Sequence, residues 1–543
     1  DLQKAGQQAR LFLVPLKEIR QYFTGGMTFI FALSALAVLI LLAGSINFMN
    51  LATARSAHRA KEVGVRKVVG AGRRQLVAQF LGESTVMAFA ALPLALVLIE
   101  FALPQFNAMT GKRLALDLFH NAPLALGLIA MIFLTGIIAG SYPAFFLSKF
   151  QAESVLKGSF APGKRSRIYR FLVVFQFAVA VFLLIAVAVL QKQMEYARTK
   201  NLGFDKDQIV VIPNWRTELI QKSYAAFRNA VLQNPRIMGA TVTAQYPGYA
   251  ASNEQFVPEG STEKIRVDTQ WGDYDFIKTF GFTLVAGRDF SREHQTDADD
   301  AIIINESAVQ RFGWASPQEA LGKRMNENMT VTGVVKDFHI FSLHQAIGPA
   351  AIRLVPADRL PEEWSSYFVA LKIRPDNTPQ TIDDLKRTWE SFFPTRPFVH
   401  SFLDDQFARF YEAEQVAGKV AGIFSILIIA IASLGLFGLA AYAAERRTKE
   451  IGIRKVLGSS VSNIVTLLSK EFIKLVLIAN VIAWPIAYFA LHQFLQIYAY
   501  RISISWPTFV LVGSSTLIIA LLTVSTQAIK AALANPVEAL RYE

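Results

Sequence analysis

The sequence predicts a polytopic α-helical membrane protein, in which seven transmembrane helices form two pseudo-repeats and carry one large extracytoplasmic α+β domain. Three observations predict this fold class. The chain has 543 residues, of which 52% are hydrophobic and only 18% charged, against roughly a quarter charged in soluble domains. Seven long apolar runs occur along it, and one basic motif follows two of them in nearly identical form.

Each apolar run is long enough, or nearly so, to cross a bilayer as a helix, which takes about 20 residues. The runs are 24–54, 84–99, 121–148, 171–191, 420–444, 475–500 and 502–529. The second run reaches a full span if Glu83 or Glu100 lies at a membrane interface. In the third run, the spacing of Gly136 and Gly140 predicts a face of small residues for close helix contact.

Basic residues predict the orientation of the spans, because loops rich in Lys and Arg stay on the cytoplasmic side. They cluster between spans one and two, three and four, and five and six. These loops are therefore predicted to be cytoplasmic, and residues 1–23, 101–120 and 191–419 to lie outside. Because the first span would then start outside, we expect an upstream portion with one more span and a first external domain.

Charge distribution and composition argue against several classes of function. The net charge is +13, but residues 191–419 hold 26 Lys and Arg against 30 Asp and Glu. The remainder holds 29 against 12, so the positive charge accompanies the spans and suits membrane lipids rather than nucleic acid. The absence of Cys excludes disulfide scaffolds, thiolate zinc sites, iron–sulfur clusters and cysteine nucleophiles.

The 191–419 insert alternates strand-like and helical patterns, as expected of an α+β domain. The strand-like runs are 208–212, 301–305, 330–335, 367–373 and 398–402, and the helical patterns are 218–232, 306–312 and 380–392. We therefore expect this insert to fold as a domain on the outer side of the membrane.

An internal repeat relates the two ends of the chain. Residues 61–71 (Lys-Glu-Val-Gly-Val-Arg-Lys-Val-Val-Gly-Ala) match residues 449–459 (Lys-Glu-Ile-Gly-Ile-Arg-Lys-Val-Leu-Gly-Ser) at an offset of 388. Each copy follows a long span and precedes two more, which predicts two copies of one transmembrane unit. We call residues 59–71 the first basic segment and residues 447–459 the second basic segment.

Both basic segments are predicted to be short amphipathic helices. Glu62 precedes Arg66 by four residues, the favourable order for a helical ion pair, and Gly70 suits a left-handed helix end. In the second segment, Glu450, Arg454 and Gly458 stand at the equivalent positions. Four apolar residues in each segment are expected to give its helix one apolar side. They are Val63, Val65, Val68 and Val69 in the first segment and Ile451, Ile453, Val456 and Leu457 in the second. The alternative is a loop that only binds anionic lipid, which explains the charge but not the matched order of residues.

The repeated motif Lys-Glu-hydrophobic-Gly-hydrophobic-Arg-Lys after a span resembles the FtsX/MacB family of ABC transporter permeases. Residues 330–339 (Thr-Val-Thr-Gly-Val-Val-Lys-Asp-Phe-His) and 287–290 (Gly-Arg-Asp-Phe) are similar to that family's periplasmic core domain. The resemblance covers essentially the whole chain and implies the larger C-terminal part of the duplicated, eight-span form. It also implies that residues 53–75 and 441–463, which include the two basic segments, dock on an ATPase. The residues it assigns to ATPase coupling are Arg59, Lys61, Glu62, Gly64, Arg66, Lys67 and Gly70, and Arg447, Lys449, Glu450, Gly452, Arg454, Lys455 and Gly458.

The chain is therefore expected to divide into six parts. Residues 1–23 are the expected tail of a first external domain, 24–158 the first transmembrane unit, 159–170 a basic linker, 171–191 the span that leads outward, 192–419 the periplasmic core domain, and 420–543 the second transmembrane unit. The spans of the two units are expected at about 24–50, 80–103 and 121–148, and at about 420–444, 467–495 and 504–530.

No complete phosphate-binding loop occurs in the sequence. Residues 158–164 approach the Gly-x4-Gly-Lys pattern, but Arg165 stands where the magnesium-binding hydroxyl is required. We therefore expect no enzyme activity and no cofactor in this chain, and expect a cytoplasmic ABC ATPase dimer to bind ATP and Mg²⁺.

One group of polar residues in the insert raises a second possibility. Asp337, His339 and His344 lie close enough in sequence to suggest a metal or acid–base site. Ordinary hydrogen bonding is the commoner role of such residues on a strand-to-loop segment, and we favour it.

The predicted function is that of a permease subunit that couples ATP hydrolysis by a partner to movements of periplasmic domains. Such movements would export, extract or expel a cargo. The resemblance implies lipoproteins, lipids, antibiotics, toxins or peptides as cargo classes, a periplasmic adaptor or lipoprotein as a further partner, and the bacterial cytoplasmic (inner) membrane as the location. The alternative is an ATPase-linked regulator or sensor that controls a periplasmic cell-wall hydrolase.

Overall fold

The computed structural model describes residues 26–148, 165–214, 217–326, 328–361 and 367–533. The expected tail at 1–23 and residues 159–164 of the expected linker lie outside these ranges. The chain forms two compact units. The membrane unit runs to Gln191 and continues with Ala413–His492 and from Ser503, while the external unit comprises Lys192–Glu412 and Gln493–Ile502.

The described part of the chain contains seven helices long and apolar enough to cross a membrane, at the seven predicted places. In chain order the helices are α1 (Gly26–Val68), α2 (Arg73–Thr110), α3 (Ala122–Leu147), α4 (Arg165–Thr199), α5 (Thr217–Leu232), α6 (Phe276–Phe280), α7 (Asp297–Asp300), α8 (Glu306–Arg311), α9 (Pro317–Ala320), α10 (Thr378–Phe392), α11 (Leu403–Arg409), α12 (Glu412–Arg446), α13 (Thr448–Val456), α14 (Val461–Leu495) and α15 (Trp506–Leu533). The seven long apolar helices are α1, α2, α3, α4, α12, α14 and α15.

Small residues let the membrane helices approach each other closely. A Cβ atom on Gly136 of α3 would lie 2.7 Å from the Cα of Thr85 in α2, and one on Gly140 would lie 2.6 Å from the Ser84 hydroxyl oxygen. The contact face predicted for these two glycines is therefore confirmed. A third close approach joins α12 to α1, where a Cβ on Gly435 would lie 2.4 Å from Asn47 Oδ1.

The internal repeat reappears as a repeated core at one end of each transmembrane unit. In the first unit four buried residues pack together, one from α1, two from α2 and one from α3. They are Val63, Leu76, Phe80 and Ala144. In the second unit the residues at the same offset of 388, from α13, α14 and α15, also pack together. They are Ile451, Ile464, Leu468 and Ala532. The basic segments thus have equivalent packing in the two units.

One mixed sheet runs through the described part of the external unit. Its strands are β1 (Ile209–Asn214), β2 (Ile237–Thr243), β3 (Ser252–Phe256), β4 (Ile265–Gly272), β5 (Leu284–Gly287), β6 (Ala301–Asn305), β7 (Arg324–Met325), β8 (Met329–Val335), β9 (Ala350–Leu354), β10 (Tyr367–Ile373) and β11 (Ser401–Phe402). The strand order is β11-β1-β10-β2-β4-β9-β6-β8-β5, with β3 paired to β4 and β7 to β8. Only β4–β9 and β6–β8 are parallel, and the other pairs are antiparallel.

The sheet divides into two parts with separate cores, because β2 and β4 are paired through Thr243 and Gly272 alone. On one side of this junction, α5 and α10 cover the sheet with a core that includes Phe227 and Trp389. On the other side, α8 and α9 pack on a core that includes Ile302 and Val331. The predicted α+β class is confirmed.

Every strand and helix predicted in the insert is present within a few residues, although 398–402 is a strand only at Ser401–Phe402. Strands β2, β3, β4, β5, β7 and β9 were not predicted. Strand β4 places polar Thr269 and Gln270 in the interior, and β3 reads Ser-Asn-Glu-Gln-Phe. Strand β3 lacks the apolar alternation from which strands are inferred, and β4 shows it only over residues 265–268.

Candidate functional site

The two basic segments differ in how their helices begin. In the first copy, α1 continues to Val68, so the segment is the end of a long helix rather than the separate short helix that we predicted. In the second copy, α12 ends at Arg446 and α13 starts at Thr448. The Thr448 hydroxyl donates to the carbonyl of Glu445 at 2.6 Å and so competes for a helical acceptor. Ala60, the counterpart of Thr448, has no such group.

Both segments end in the same way, as predicted. Gly70 and Gly458 have φ angles of +100° and +87°. Ala71 N–H donates to the Arg66 carbonyl and Gly70 N–H to the Lys67 carbonyl, at 2.9 and 3.1 Å. The equivalent bonds from Ser459 and Gly458 have the same lengths. This is the Schellman arrangement, in which a left-handed glycine satisfies the last carbonyl groups of a helix.

The predicted ion pairs are present in both copies. Glu62 and Arg66 are 2.8 Å apart, and Glu450 and Arg454 are 2.9 Å apart. Each of these side chains is nearly half exposed, so each pair contributes only a few tenths of a kcal/mol. Their effect is to hold each acidic group on its own helix, where it offsets part of the basic charge.

The prediction that the apolar residues share one side is wrong. Val63 and Ile451 are buried, with 1% and 4% exposure, in the repeated cores. The other three apolar residues of each segment face away from these cores and are exposed by at least half. A helix turns about 100° per residue, which places these three opposite the buried one. We call them the exposed triplets, and they are Val65, Val68 and Val69 in the first segment and Ile453, Val456 and Leu457 in the second.

Basic side chains anchor the segments to neighbouring helices. Lys67 Nζ donates to the carbonyl of Ser148 at 2.7 Å, just beyond the end of α3. Arg66 also donates to Gln79 of α2. In the second copy, Arg447 pairs with Glu471 of α14 at 3.2 Å. These contacts tie each segment to the ends of the spans around it.

The remaining predicted residues fall in different places. Gly64 and Gly452 are buried, whereas Lys449 is exposed. Lys455 lines a cleft of about 280 Å³ together with Lys530 and other residues of α12, α13 and α15. The side chains of residues 53–61, including Arg59 and Lys61, lie outside the described part of the structure.

The second candidate group consists of Asp337, His339 and His344 of the external unit, and its members make two different kinds of contact. Both carboxylate oxygens of Asp337 accept hydrogen bonds from Ser307, at 2.8 Å from its N–H and 2.7 Å from its hydroxyl. His339 and His344 instead contact tyrosine rings. Among the described residues, no group of three or more His, Asp or Glu side chains could hold a metal ion.

Two family models match this chain. The FtsX-like permease C-terminal model matches residues 34–152 and again residues 422–536. The MacB-like periplasmic core domain model matches residues 171–388. The double match of the first model covers the two transmembrane units, and the second model covers most of the external unit.

Curated relatives match over shorter stretches. The macrolide export ATP-binding/permease protein MacB of Bdellovibrio bacteriovorus is 34% identical over 128 residues, which cover 23% of this chain and 19% of that protein. The uncharacterized ABC transporter permease YknZ of Bacillus subtilis is 32% identical over 128 residues, covering 24% of this chain and 31% of that protein. The matched stretch thus spans less than a third of each relative.

Solved structures show a distant likeness to part of this chain. The periplasmic region of MacB from Actinobacillus actinomycetemcomitans has 16% identity and a TM-score of 0.28, covering 38% of this chain and 94% of that one. The extracellular domain of a YknZ from Gram-positive bacteria has 14% identity and a TM-score of 0.24, covering 35% and 98%. The family assignment rests on the two models, by which the chain belongs to the FtsX/MacB-like ABC transporter permeases.

Proposed function

We propose that this permease couples ATP hydrolysis by a separate cytoplasmic ATPase dimer to movements of its periplasmic domain. The exposed triplets carry the proposal. Each places three apolar side chains beside Arg and Lys residues at the end of a helix that is fixed by a buried anchor and a glycine cap. Lipid contact requires no such order, whereas a protein partner that recognises shape does. The same surface occurs twice in one chain, as a dimeric ATPase would require.

Movement of the basic segments would be transmitted through packing. Ile451 of α13 packs with Ile464 and Leu468 of α14 and with Ala532 of α15. Packed cores of this kind shift as units because they contain little free volume. A displacement of the second basic segment would therefore move α14 and α15, and Val63 provides the equivalent contact in the first unit.

Helices carry this movement outward in the proposal. Helix α4 continues from the membrane unit to Thr199, and α12 starts at Glu412, so each is continuous across the boundary between the units. The domain would then export, extract or expel a cargo at the outer face of the bacterial inner membrane. Relatives are named for macrolide and pyoverdine export, which favours export. A periplasmic adaptor or lipoprotein is a further proposed partner.

The exposed triplets give a direct test. We expect Val68→Asp or Val456→Asp to weaken binding of the purified permease to its ATPase at least ~10-fold, because a charge would be buried at the interface. Both changes together should abolish measurable binding. The control is Val399→Asp, which places the same charge at a valine of the external unit that is 55% exposed. Normal ATPase binding by the double variant would refute the proposed role of the basic segments.

A further inference from the structure

A short loop between the last two spans belongs to the external unit rather than to the membrane unit. Residues Gln493–Ile502 join α14 to α15 and pack with Lys192–Glu412. The chain therefore passes between the two units at four points, two of which are the helices α4 and α12. The other two are the ends of this loop, which we call the outer loop.

Two tyrosines hold the outer loop against residues 339–347 of the external unit. Tyr500 N–H donates to the Leu343 carbonyl at 3.1 Å, and its hydroxyl accepts from Ile347 N–H at 3.3 Å. The ring of Tyr498, which is fully buried, stacks on His344 with 4.1 Å between ring centroids. Residues 339–347 thus form a socket that contacts the loop through both backbone and rings.

His339 completes the socket from inside the domain. Its ring meets the Tyr500 ring edge-on with 4.7 Å between centroids, and only 3% of the residue is exposed. Burial, with a smaller effect from Lys200, lowers the pKa of His339 to about 4. The imidazole is therefore neutral near pH 7 and can pack against the tyrosine without the cost of a buried charge. Lys200 Nζ also lies 4.9 Å from the centroid of the Tyr500 ring.

Gln193 links the same loop to α4. Its side-chain amide donates to the Tyr500 carbonyl at 3.1 Å and accepts from Ile502 N–H at 3.0 Å. Gln193 is fully buried, so removing its amide would leave two backbone groups without partners, at a cost of about 1–3 kcal/mol each. The outer loop, the socket and α4 therefore meet at one point.

The first transmembrane unit provides a comparison within the same chain. Its loop between spans two and three aligns with the outer loop at the repeat offset, since Phe101-Ala-Leu-Pro-Gln-Phe106 matches Phe489-Ala-Leu-His-Gln-Phe494. The positions of Tyr498 and Tyr500, however, hold Thr110 and Lys112. This loop also carries an aromatic residue, Phe119, that is 98% exposed. The tyrosine pair is thus particular to the second unit.

We propose that the outer loop is a clamp through which α14 and α15 act directly on the periplasmic domain, with Tyr498 and Tyr500 seated in the socket at 339–347. This inference rests on the proposed function, because it takes the second basic segment as the source of the movement. Ile451 of that segment packs on Ile464 near one end of α14, and the other end of α14 enters the outer loop. The clamp would add a third connection to those made by α4 and α12.

The clamp is tested by hydrogen–deuterium exchange on the full permease reconstituted with its ATPase, with and without AMP-PNP. In the wild type, the nucleotide analogue should change exchange in both 336–348 and 493–502. In Tyr500→Ala, ATPase affinity should be unchanged. Without nucleotide, the exchange rate of residues 493–502 should rise roughly two- to twelvefold, because that factor corresponds to the loss of one aromatic pair. The response of 336–348 to AMP-PNP should be lost.

Two controls separate the clamp from general damage. Tyr500→Phe keeps the ring and should retain the response, and Phe119→Ala removes an aromatic side chain from the equivalent loop and should not affect it. If Tyr500→Ala does not fold, His344→Ala alters the socket alone and should also reduce the response of 336–348.

The outcomes distinguish the two proposals. Failure of the wild type to bind the ATPase would overturn the proposed function, and the clamp with it. A wild type that binds the ATPase but shows no response in 336–348 would overturn the clamp alone. So would an undiminished response in Tyr500→Ala or, where that variant does not fold, in His344→Ala.

Discussion

Asp273 is a buried carboxylate in the periplasmic domain, and its surroundings determine how the stability of that domain depends on pH. The residue is 2% exposed. Its Oδ1 accepts hydrogen bonds from the Thr241 hydroxyl and from the Asp275 N–H. Burial, reinforced by the neighbouring Asp275 charge, raises the pKa of Asp273 to about 6. The charged form is therefore disfavoured in the folded domain.

We expect Asp273→Asn to stabilise the domain at pH 7.5 by up to about 3 kcal/mol, because it removes a charge whose burial is unfavourable and keeps an acceptor oxygen. The folded pKa lies above the unfolded value of 3.8. Wild-type stability should therefore rise as the pH falls from above 6 to below 4, and the advantage of the variant should disappear. Guanidinium unfolding of the full chain in nanodiscs, followed by tryptophan fluorescence, measures the free energy of unfolding of the wild type and of Asp273→Asn at each pH.

Asp275→Asn is the matched control for this prediction. Asp275 pairs with Arg228 at 2.8 Å and with Arg292 at 2.7 Å. Its neutralisation should destabilise the domain at pH 7.5, opposite in sign to the change at Asp273. Destabilisation by Asp273→Asn at pH 7.5 would show that its charge is compensated in the folded domain.

At single positions, sequence patterns were informative where the relevant contacts are local. The spacing of Glu62 and Arg66 predicted their ion pair, and Gly70 predicted the left-handed helix end, since both depend on neighbours within one helix. Helical geometry places Val65, Val68 and Val69 opposite Val63, but the prediction considered only their apolar character and therefore assigned all four residues to one apolar side. The contacts of Lys67 with Ser148 and of Tyr500 with His339 join distant parts of the chain, and no local pattern predicts them.

Among the elements, α3 offers a sharp test of helix packing. Gly136 and Gly127 lie in the same helix, but a Cβ on Gly136 would meet Thr85 of α2 at 2.7 Å, whereas one on Gly127 would meet nothing within 4 Å. We expect Gly136→Ala to destabilise the membrane unit by about 1–3 kcal/mol, because the backbone of α2 would have to move. Gly127→Ala should be nearly neutral. Thermal unfolding of the detergent-solubilised protein compares them, and equal melting temperatures would contradict the close approach of α2 and α3.

Helices and strands were predicted to different extents for physical reasons. The spans are long and uniformly apolar, so all seven were recognised. The break between α12 and α13 was not predicted as a difference between the repeats. It lies beside Thr448, whose hydroxyl bonds to the Glu445 carbonyl and whose counterpart in the first copy is Ala60. Strands β3 and β4 escaped prediction because their polar residues are accommodated by partners elsewhere, as when Gln270 donates to the Ala250 carbonyl at 2.6 Å.

At the scale of the whole molecule, the repeat places two equivalent packed cores in one chain, one in each transmembrane unit. The four buried residues around each basic segment correspond at a single offset, and Asn47 and Gly435, which contact each other where α1 meets α12, also correspond at that offset. Two units related in this way can present two equivalent surfaces to a symmetric partner. We therefore expect one permease chain to engage two ATPase subunits.

Native mass spectrometry of the complex, extracted gently from its own membrane, measures how many ATPase subunits each permease chain binds. We expect two P-loop ATPase subunits for each permease chain, and expect the double variant Val68→Asp with Val456→Asp to lose both. A complex with one ATPase subunit per permease chain would contradict the pairing of the two basic segments with one dimer. A permease that carries no ATPase, under conditions that preserve other ABC complexes, would contradict the coupling role altogether.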